Sequence, residues 1–310
     1  MKLLLTVSVV VCLFVTPVKA GSWEIDIVDT LGDSEMSASQ IKEMLYRDFG
    51  YEVDISGGSG RTKTDPIIVN AATLQHASHL ELLVLRGLAR GQGAYWRLLE
   101  TNLTEVDGRV LVQRKIETKL LHPEKIISQT KNFYFDRAQN QVSAGQIINL
   151  DIAHTDEVIG IAFPSEIGWL HFEKVIDFEH RQPGLGYSLA YNAPGFKATV
   201  YVYPILKRDP AHAAEVQSAI AEYTMAYGED AIEHDWGIST AEDHSFFYFI
   251  PRKDPSDVSG VTVIKRGDHF IKSRVTFYDD PAIREFSQTF NSELLELVRA
   301  SLHSGVGIKH

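Results

Sequence analysis

Two short acid/base clusters hold the residues with the clearest catalytic potential. They are Glu233-His234-Asp235 and Glu242-Asp243-His244. An imidazole beside carboxylates can transfer protons near neutral pH. However, side chains alternate across a strand, so the two carboxylates of the first cluster would share one face and His234 the other. No Gly-x-Ser-x-Gly elbow accompanies them. His234, Asp243 and His244 therefore remain an alternative acid/base site, that of an exported hydrolase or small-molecule enzyme.

A second pattern that suggests chemistry is a pair of histidines three residues apart. His76 and His79 fall on a predicted helix, where this spacing brings two imidazoles near one another. Glu81 falls on a different face, and the chain has no His-Glu-x-x-His motif. We predict no metal site and no cofactor.

The glycine-rich stretch 57–64 resembles a phosphate-binding loop only superficially. Such a loop has glycine directly before its Lys-Thr pair, and a helix follows whose first amides face the phosphate. Here Thr62 precedes Lys63, and Pro66-Ile67-Ile68 indicates extended chain. The stretch is predicted to be a linker.

Aromatic residues in the second half form a candidate binding surface. Tyr201 and Tyr203 share one face of a predicted strand, whereas Val200 and Val202 share the other. If the valines pack beneath a helix, the tyrosines are left on a surface suited to recognition. The alternative is that a second helix covers them. Trp169, Tyr201 and Tyr203 are the candidate binding residues.

Residues 1–20 have the pattern of a secretory signal peptide. Lys2 supplies the positive charge, an apolar run follows from Leu3 to Val15, and Val18-Lys19-Ala20 ends it with a small residue. The run is too short to span the roughly 30 Å apolar core of a bilayer. Val11 stands before Cys12 where a lipoprotein needs a small residue. We predict cleavage after Ala20 and a periplasmic or secreted protein.

Composition limits the partners of the mature chain. Cys12 is the single cysteine and leaves with the signal, so disulfides and thiolate chemistry are excluded. The chain has a formal net charge of −11, and the loss of Lys2 and Lys19 makes it more negative. This charge disfavours nucleic acid as a partner. No later apolar run approaches the length of a transmembrane segment.

Local patterns predict an α+β domain over residues 21–138. Ser37-Ala38-Ser39-Gln40 is a capping box, and Thr73 to Arg90 has helical spacing. Three alternating strands follow, joined by short turns, and form an antiparallel meander. The predicted strands are Tyr95–Leu103, Arg109–Leu120 and Ile126–Phe135. The preceding helices are expected to cover one face of this meander.

The second domain is predicted at 151–303, after a linker at 139–150 and before a flexible tail at 304–310. Its first strand is expected at Val158–Phe163. The element order is β-β-β-α-β-β-β-β-α, with a largely antiparallel sheet and two amphipathic helices. Runs of strands between helices indicate an α+β fold.

This half resembles the PsbP-like family of small α/β/α sandwiches. The likeness rests on Phe163-Pro164 leading to Gly168-Trp169, on the strand Ala198–Ile205, and on a long hairpin that ends at Tyr278. It covers about 160–303 and consists of element order without a diagnostic motif. The resemblance implies a non-enzymatic binding or assembly role. With export, it suggests a factor of the bacterial envelope whose partner is a protein or a small ligand.

We expect the mature protein to begin at Gly21, because signal peptidase cleaves after the small residue that ends the leader. Mass spectrometry of the exported fraction would give the mass of residues 21–310. Cytosolic protein that retains Met1 would contradict the assignment.

Overall fold

The computed structural model of the protein describes most of the chain after residue 35. The described residues are 36–90, 94–122, 125–137, 151–205, 212–227, 239–240, 244–249 and 257–303. The predicted signal peptide (1–20), linker (139–150) and tail (304–310) lie outside them and stay predictions.

Helix α1 (Ala38–Phe49) begins and ends where its local sequence predicts. The Gln40 side chain accepts a hydrogen bond from the Ser37 amide at 2.9 Å. Gly50 ends the helix in the left-handed region, with φ of 68°, which glycine adopts without steric cost. Ile41 and Leu45 are buried on one face. Capping and periodicity are local, so this helix was predictable.

A five-stranded sheet organises the first half. Its strands are β1 (Ile55–Gly57), β2 (Ile67–Val69), β3 (Tyr95–Val106), β4 (Arg109–His122) and β5 (Lys125–Asp136). Their order is β1-β2-β5-β4-β3, and β2 pairs with β5 in parallel. The predicted meander is confirmed as β3-β4-β5, with an Asp107-Gly108 turn between its first two strands.

Helix α2 (Leu74–Arg90) packs with α1 over this sheet. Leu80, Val84 and Phe135 belong to their shared apolar core. A Cβ atom at Gly87 would lie 2.0 Å from a methyl carbon of Leu45. Glycine at this position therefore allows the two helices to approach closely.

Four charged side chains form a network where α2 crosses the sheet. Glu81 of α2 and Arg114 of β4 are fully buried, and Arg137, directly after β5, is 4% exposed. The Nε atoms of Arg114 and Arg137 donate to the two Glu81 oxygens at 3.0 and 2.5 Å. Asp151 accepts from Nη1 of Arg114 at 3.0 Å. The network joins α2, β4 and the chain after β5 to the start of the second half.

The charge of Arg114 is maintained by its neighbours. Burial alone disfavours a guanidinium charge, but the carboxylates of Glu81 and Asp151 outweigh it and raise the pKa of Arg114. The hydroxyls of Thr101 and Ser78 accept two further hydrogen bonds from Arg114, at 2.8 and 2.7 Å. The cation is thus both paired and hydrogen-bonded.

An antiparallel sheet of eight strands organises the second half. Its strands are β8 (Glu166–Ile167), β9 (Leu170–Asp177), β10 (Tyr187–Ala193), β11 (Phe196–Pro204), β12 (Ser239–Thr240), β13 (His244–Phe249), β14 (Asp257–Arg266) and β15 (His269–Tyr278). Their order is β12-β13-β14-β15-β11-β10-β9-β8. The largely antiparallel sheet predicted for this half is confirmed.

The predicted first strand of this half, Val158–Phe163, was wrong. Two strands, β6 (Ile152–Asp156) and β7 (Ile161–Pro164), form a separate ribbon with a turn between them. The Asp156 carboxylate accepts hydrogen bonds from the Val158 and Ile159 amides at 2.8 and 3.1 Å. Aspartate stabilises turns in this way, and here the turn prevails over the strand preference of the β-branched residues.

One helix packs on each face of the large sheet. The helices are α3 (His212–Tyr227) and α4 (Pro281–His303). Phe290 and Leu294 of α4 share an apolar core with Val200 of β11. Ala219 of α3 packs in a different core with Val263 of β14. The half is therefore an α/β/α sandwich.

The α+β class predicted from the sequence is confirmed. Residues 35–310 group into one compact unit. The limits proposed for two domains, 21–138 and 151–303, stay predictions because their border falls in residues 138–150, outside the described part. None of the described helices has the length and hydropathy needed to cross a bilayer.

Replacing Glu81 by Gln should destabilise the fold strongly. The change would leave two buried guanidinium groups facing a neutral amide, and breaking such a buried pair typically costs about 3–5 kcal/mol. Urea denaturation would measure the loss. Glu43→Gln on the exposed face of α1 is the matched control and should stay within about 0.5 kcal/mol of wild type. Equal stabilities of the two variants would refute a central role for the network.

Candidate functional site

The predicted acid/base residues fall mostly outside the described part of the chain. His234 and Asp243 lie outside it, and His244 is described as the first residue of β13, where its backbone pairs with Ile264. The enzyme alternative therefore stays a sequence prediction.

The glycine-rich stretch is a hydrogen-bonded connection between β1 and β2. The amide and hydroxyl of Ser59 donate to the Asp65 carboxylate at 2.8 and 2.9 Å, and these bonds lower the pKa of Asp65. Strand β2 follows at Ile67, as the extended pattern predicted. Within the described residues, no three His, Cys, Asp or Glu side chains are grouped so as to hold a metal.

The three predicted aromatic binding residues do not form one surface. Trp169 is 2% exposed, and its ring stacks on Phe286 of α4 at 4.8 Å. Tyr203 lies on the opposite sheet face, where its hydroxyl donates to Glu215 of α3 at 2.6 Å. Burial, followed by the charge of Glu215, raises the pKa of Tyr203. Trp169 and Tyr203 are therefore packed against helices, and Tyr201 is the remaining candidate for binding.

Tyr201 lies on a part of the sheet that we call the open sheet face. We define this surface by the outward residues Lys174, Ala190, Lys197, Thr199, Tyr201 and Arg274. Helix α3 packs over β13 and β14. Further along the same face, Lys174, Lys197 and Arg274 are exposed, while Ala190, Thr199 and Tyr201 are half-buried. The surface is amphipathic and carries cations.

Strand register brings these residues together. Lys174 of β9 pairs with Ala190 of β10, and Ala190 pairs with Thr199 of β11. Thr199 in turn pairs with Arg274 of β15. These four residues form one row across four strands, and Lys197 and Tyr201 flank Thr199 along β11. The sequence signalled Tyr201 through alternation, but the cations were missed, and two of them, Lys174 and Arg274, come from other strands.

A second arrangement missed from the sequence joins the two halves. The rings of Trp96 (β3) and His171 (β9) stack with centroids 3.9 Å apart. The His171 Nε2 lies 3.0 Å from the Trp96 carbonyl oxygen, to which it can only donate. Glu166 of β8 accepts from the Leu98 amide at 2.7 Å, and its other oxygen lies 3.3 Å from Nδ1 of His171. We call these four residues the seam.

Glu166 is protonated more readily than an ordinary glutamate. Burial is the main cause of its raised pKa. The Leu98 amide opposes the shift, and so does Arg97, whereas the charges of Glu293 and Asp151 add to it. A neutral His171 that donates through Nε2 presents Nδ1 as an acceptor towards this carboxyl group. The seam therefore places a buried carboxyl group of raised pKa 3.3 Å from Nδ1 of His171.

The cavity beside the seam is too small for an organic substrate. Its volume is about 10 Å³, and Arg86, Trp96 and His171 are among the side chains that line it. A single water molecule already needs roughly 10–15 Å³. The Glu166–His171 pair is therefore a buried joint between the halves, and the open sheet face is the better candidate for recognition.

Comparison with known proteins adds little. No protein-family model matches the sequence, and no curated protein matches it. A solved structure of the Ran-binding protein Mog1p from Saccharomyces cerevisiae is similar over 46% of this chain and 86% of that chain. The identity is 12% and the TM-score 0.28. A TM-score this low supports no conclusion about fold or function.

The raised pKa of Glu166 should make the seam weaker at higher pH. An unfolded glutamate loses its proton near pH 4.3, whereas the folded carboxyl keeps it to a higher pH. The stabilisation is complete below about pH 4.3 and is lost as the pH rises through the folded-state pKa. The Glu166→Gln variant keeps a neutral side chain throughout, so its free energy of unfolding should rise relative to that of wild type by about 1 kcal/mol or more as the pH increases.

Urea midpoints measured at about pH 4.5 and about pH 8 would test this linkage. Glu296→Gln, on the exposed side of α4 and outside the seam, provides the control. A Glu166→Gln difference that is the same at both pH values would contradict the assignment.

Proposed function

We propose that the protein is exported and acts in the bacterial envelope, periplasmic or secreted, as a non-enzymatic binding or assembly factor. Its C-terminal half would be a PsbP-like sandwich that presents a recognition surface. The observation that carries the proposal is the open sheet face, an amphipathic and partly exposed surface on a sheet that is well packed on its other side.

The strands below this surface are held firmly. Val200 and Val202 are buried on the opposite side of β11, in the core that includes Phe290 of α4. Tyr191 of β10 belongs to the same core, and its hydroxyl donates to the Pro164 carbonyl at 2.9 Å. A surface fixed in this way loses little conformational entropy when a partner binds.

The chemistry of the surface also suits recognition. Tyr201 combines an apolar ring with a polar hydroxyl, a property that makes tyrosine common at interfaces. Exposed Lys174 and Lys197 place positive charge on a chain whose formal net charge is −11. Such a local reversal of charge favours encounter with particular partners and orients them.

Site-specific photocrosslinking would test the proposed role. The photoreactive residue p-benzoylphenylalanine would replace Tyr201 in the exported protein in its native host. We expect a discrete adduct of defined mass at this position after irradiation at physiological salt, because a bound partner covers the open sheet face.

Tyr46 offers a matched control, since it is a tyrosine on α1 that is 63% exposed. The same replacement at Tyr46 should not give the adduct found at Tyr201. Absence of any adduct at Tyr201, or the same adducts at both positions, would contradict a binding role for this surface.

A further inference from the structure

We propose that the open sheet face docks an acidic amphipathic helix of a partner protein, in a position beside α3. The inference rests on the proposed binding function and specifies the chemistry of the partner. Four observations support it. Small residues lie between two cations on this surface, and α3 already packs on the same face of the sheet. The local charge is positive, and the surface is the face of a sheet and not its edge.

The width of the surface matches a helix. In the row Lys174–Ala190–Thr199–Arg274, two small residues separate two long cations. Neighbouring strands lie about 4.8 Å apart, so the floor between the cations is about 10–14 Å wide. A helix with its side chains measures about 10–12 Å across. Ala190 and Thr199 allow its backbone to come close to the sheet.

Helix α3 already packs on this face of the sheet, and its glutamates pair with a lysine of the sheet. Lys272 of β15 projects from the same sheet face as Arg274, two residues away. Its ammonium group lies 3.7 Å from a Glu215 oxygen and 3.0 Å from a Glu222 oxygen. Both glutamates belong to α3 and lie seven residues apart, on one side of the helix. A second helix beside α3 would meet Lys174 and Lys197 with acidic residues in the same way.

The local charge selects an acidic partner. Lys174, Lys197 and Arg274 are exposed on this surface. Glu173 supplies a carboxylate at one corner, where it contacts the Asn192 side chain. Among the described residues of this surface, Lys174 and Lys197 therefore outnumber this carboxylate, although the chain as a whole is acidic. Attraction to glutamate and aspartate side chains follows, and salt should weaken it.

The position of the surface favours a helix over a strand. Backbone groups of β10 and β11 are paired on both sides within the sheet. An added strand needs an edge with unpaired backbone groups, and the open sheet face lies in the interior of the sheet. A partner can therefore contact only side chains on this surface, and an amphipathic helix makes such contacts with the residues along one of its faces.

Designed peptides would test the inference with the full mature chain. The probe is a fluorescent peptide of about 18 residues with leucine at helical spacing on one stripe and glutamate elsewhere, long enough to form a helix when bound. A second peptide carries lysine in place of each glutamate, and a third scrambles the glutamate peptide. Fluorescence anisotropy at low salt should show binding of the glutamate helix alone.

The charge-reversed variant Lys174→Glu/Lys197→Glu/Arg274→Glu should bind the glutamate helix at least tenfold more weakly. The control Lys42→Glu/Arg47→Glu/Lys63→Glu makes the same change of charge at exposed positions of the first half, and it should bind as wild type does. Circular dichroism would confirm that both variants are folded. Binding of the lysine helix by the charge-reversed variant, which wild type should not show, would support the inference further.

Each of these peptide results would overturn the inference: no binding of the glutamate helix at low salt, equal binding of the scrambled peptide, or equal loss of binding in both variants. Preferential binding of a single-stranded DNA oligomer would also overturn it, since the surface would then be a general anion site. A discrete crosslink at Tyr201 without peptide binding would refute the acidic helix alone and leave the proposed binding function in place.

Discussion

The buried carboxylate of Glu81 is the constraint on which the first half depends. It receives hydrogen bonds from Arg114 and Arg137, which reach it from β4 and from the chain just after β5. A buried charge is costly unless it is fully paired, so α2 has one favourable position on the sheet. Asp151 completes the pairing of Arg114 and thereby ties the start of the second half to the same network.

The seam and the neighbouring Tyr95 also connect the two halves, through aromatic contacts and hydrogen bonds. Tyr95 donates a hydrogen bond to the Pro194 carbonyl at 2.5 Å, and its ring lies 4.9 Å from that of Phe286. Trp96 stacks on His171 nearby, and Glu166 accepts the backbone amide of Leu98. Aromatic packing and directed hydrogen bonds thus fix β3 against the large sheet. Since Pro194 lies in the turn between β10 and β11, the Tyr95 hydrogen bond also holds two strands of the open sheet face.

The elements predicted from the sequence were those specified by short-range signals. The capped helix α1 and the hairpin at Asp107-Gly108 each depend on a few adjacent residues. The turn at 157–160, which takes Val158 out of the predicted strand Val158–Phe163, was missed because the Asp156 side chain stabilises it just before β7. Trp169 was expected at a binding surface, yet it is buried against α4, which follows it by more than a hundred residues.

Periodicity and capping are properties of neighbouring residues, and they were enough to predict the α+β class, the meander and the amphipathic helices. The acidic character of the chain is a matter of composition alone. Simple alternation along one strand also singled out Tyr201. Folding in three dimensions was needed to place Lys174, Thr199 and Arg274 in one row and to bring Trp96 onto His171 of the β8–β9 hairpin. Those associations depend on strand register and on packing between halves, which arise from contacts between residues far apart in the chain.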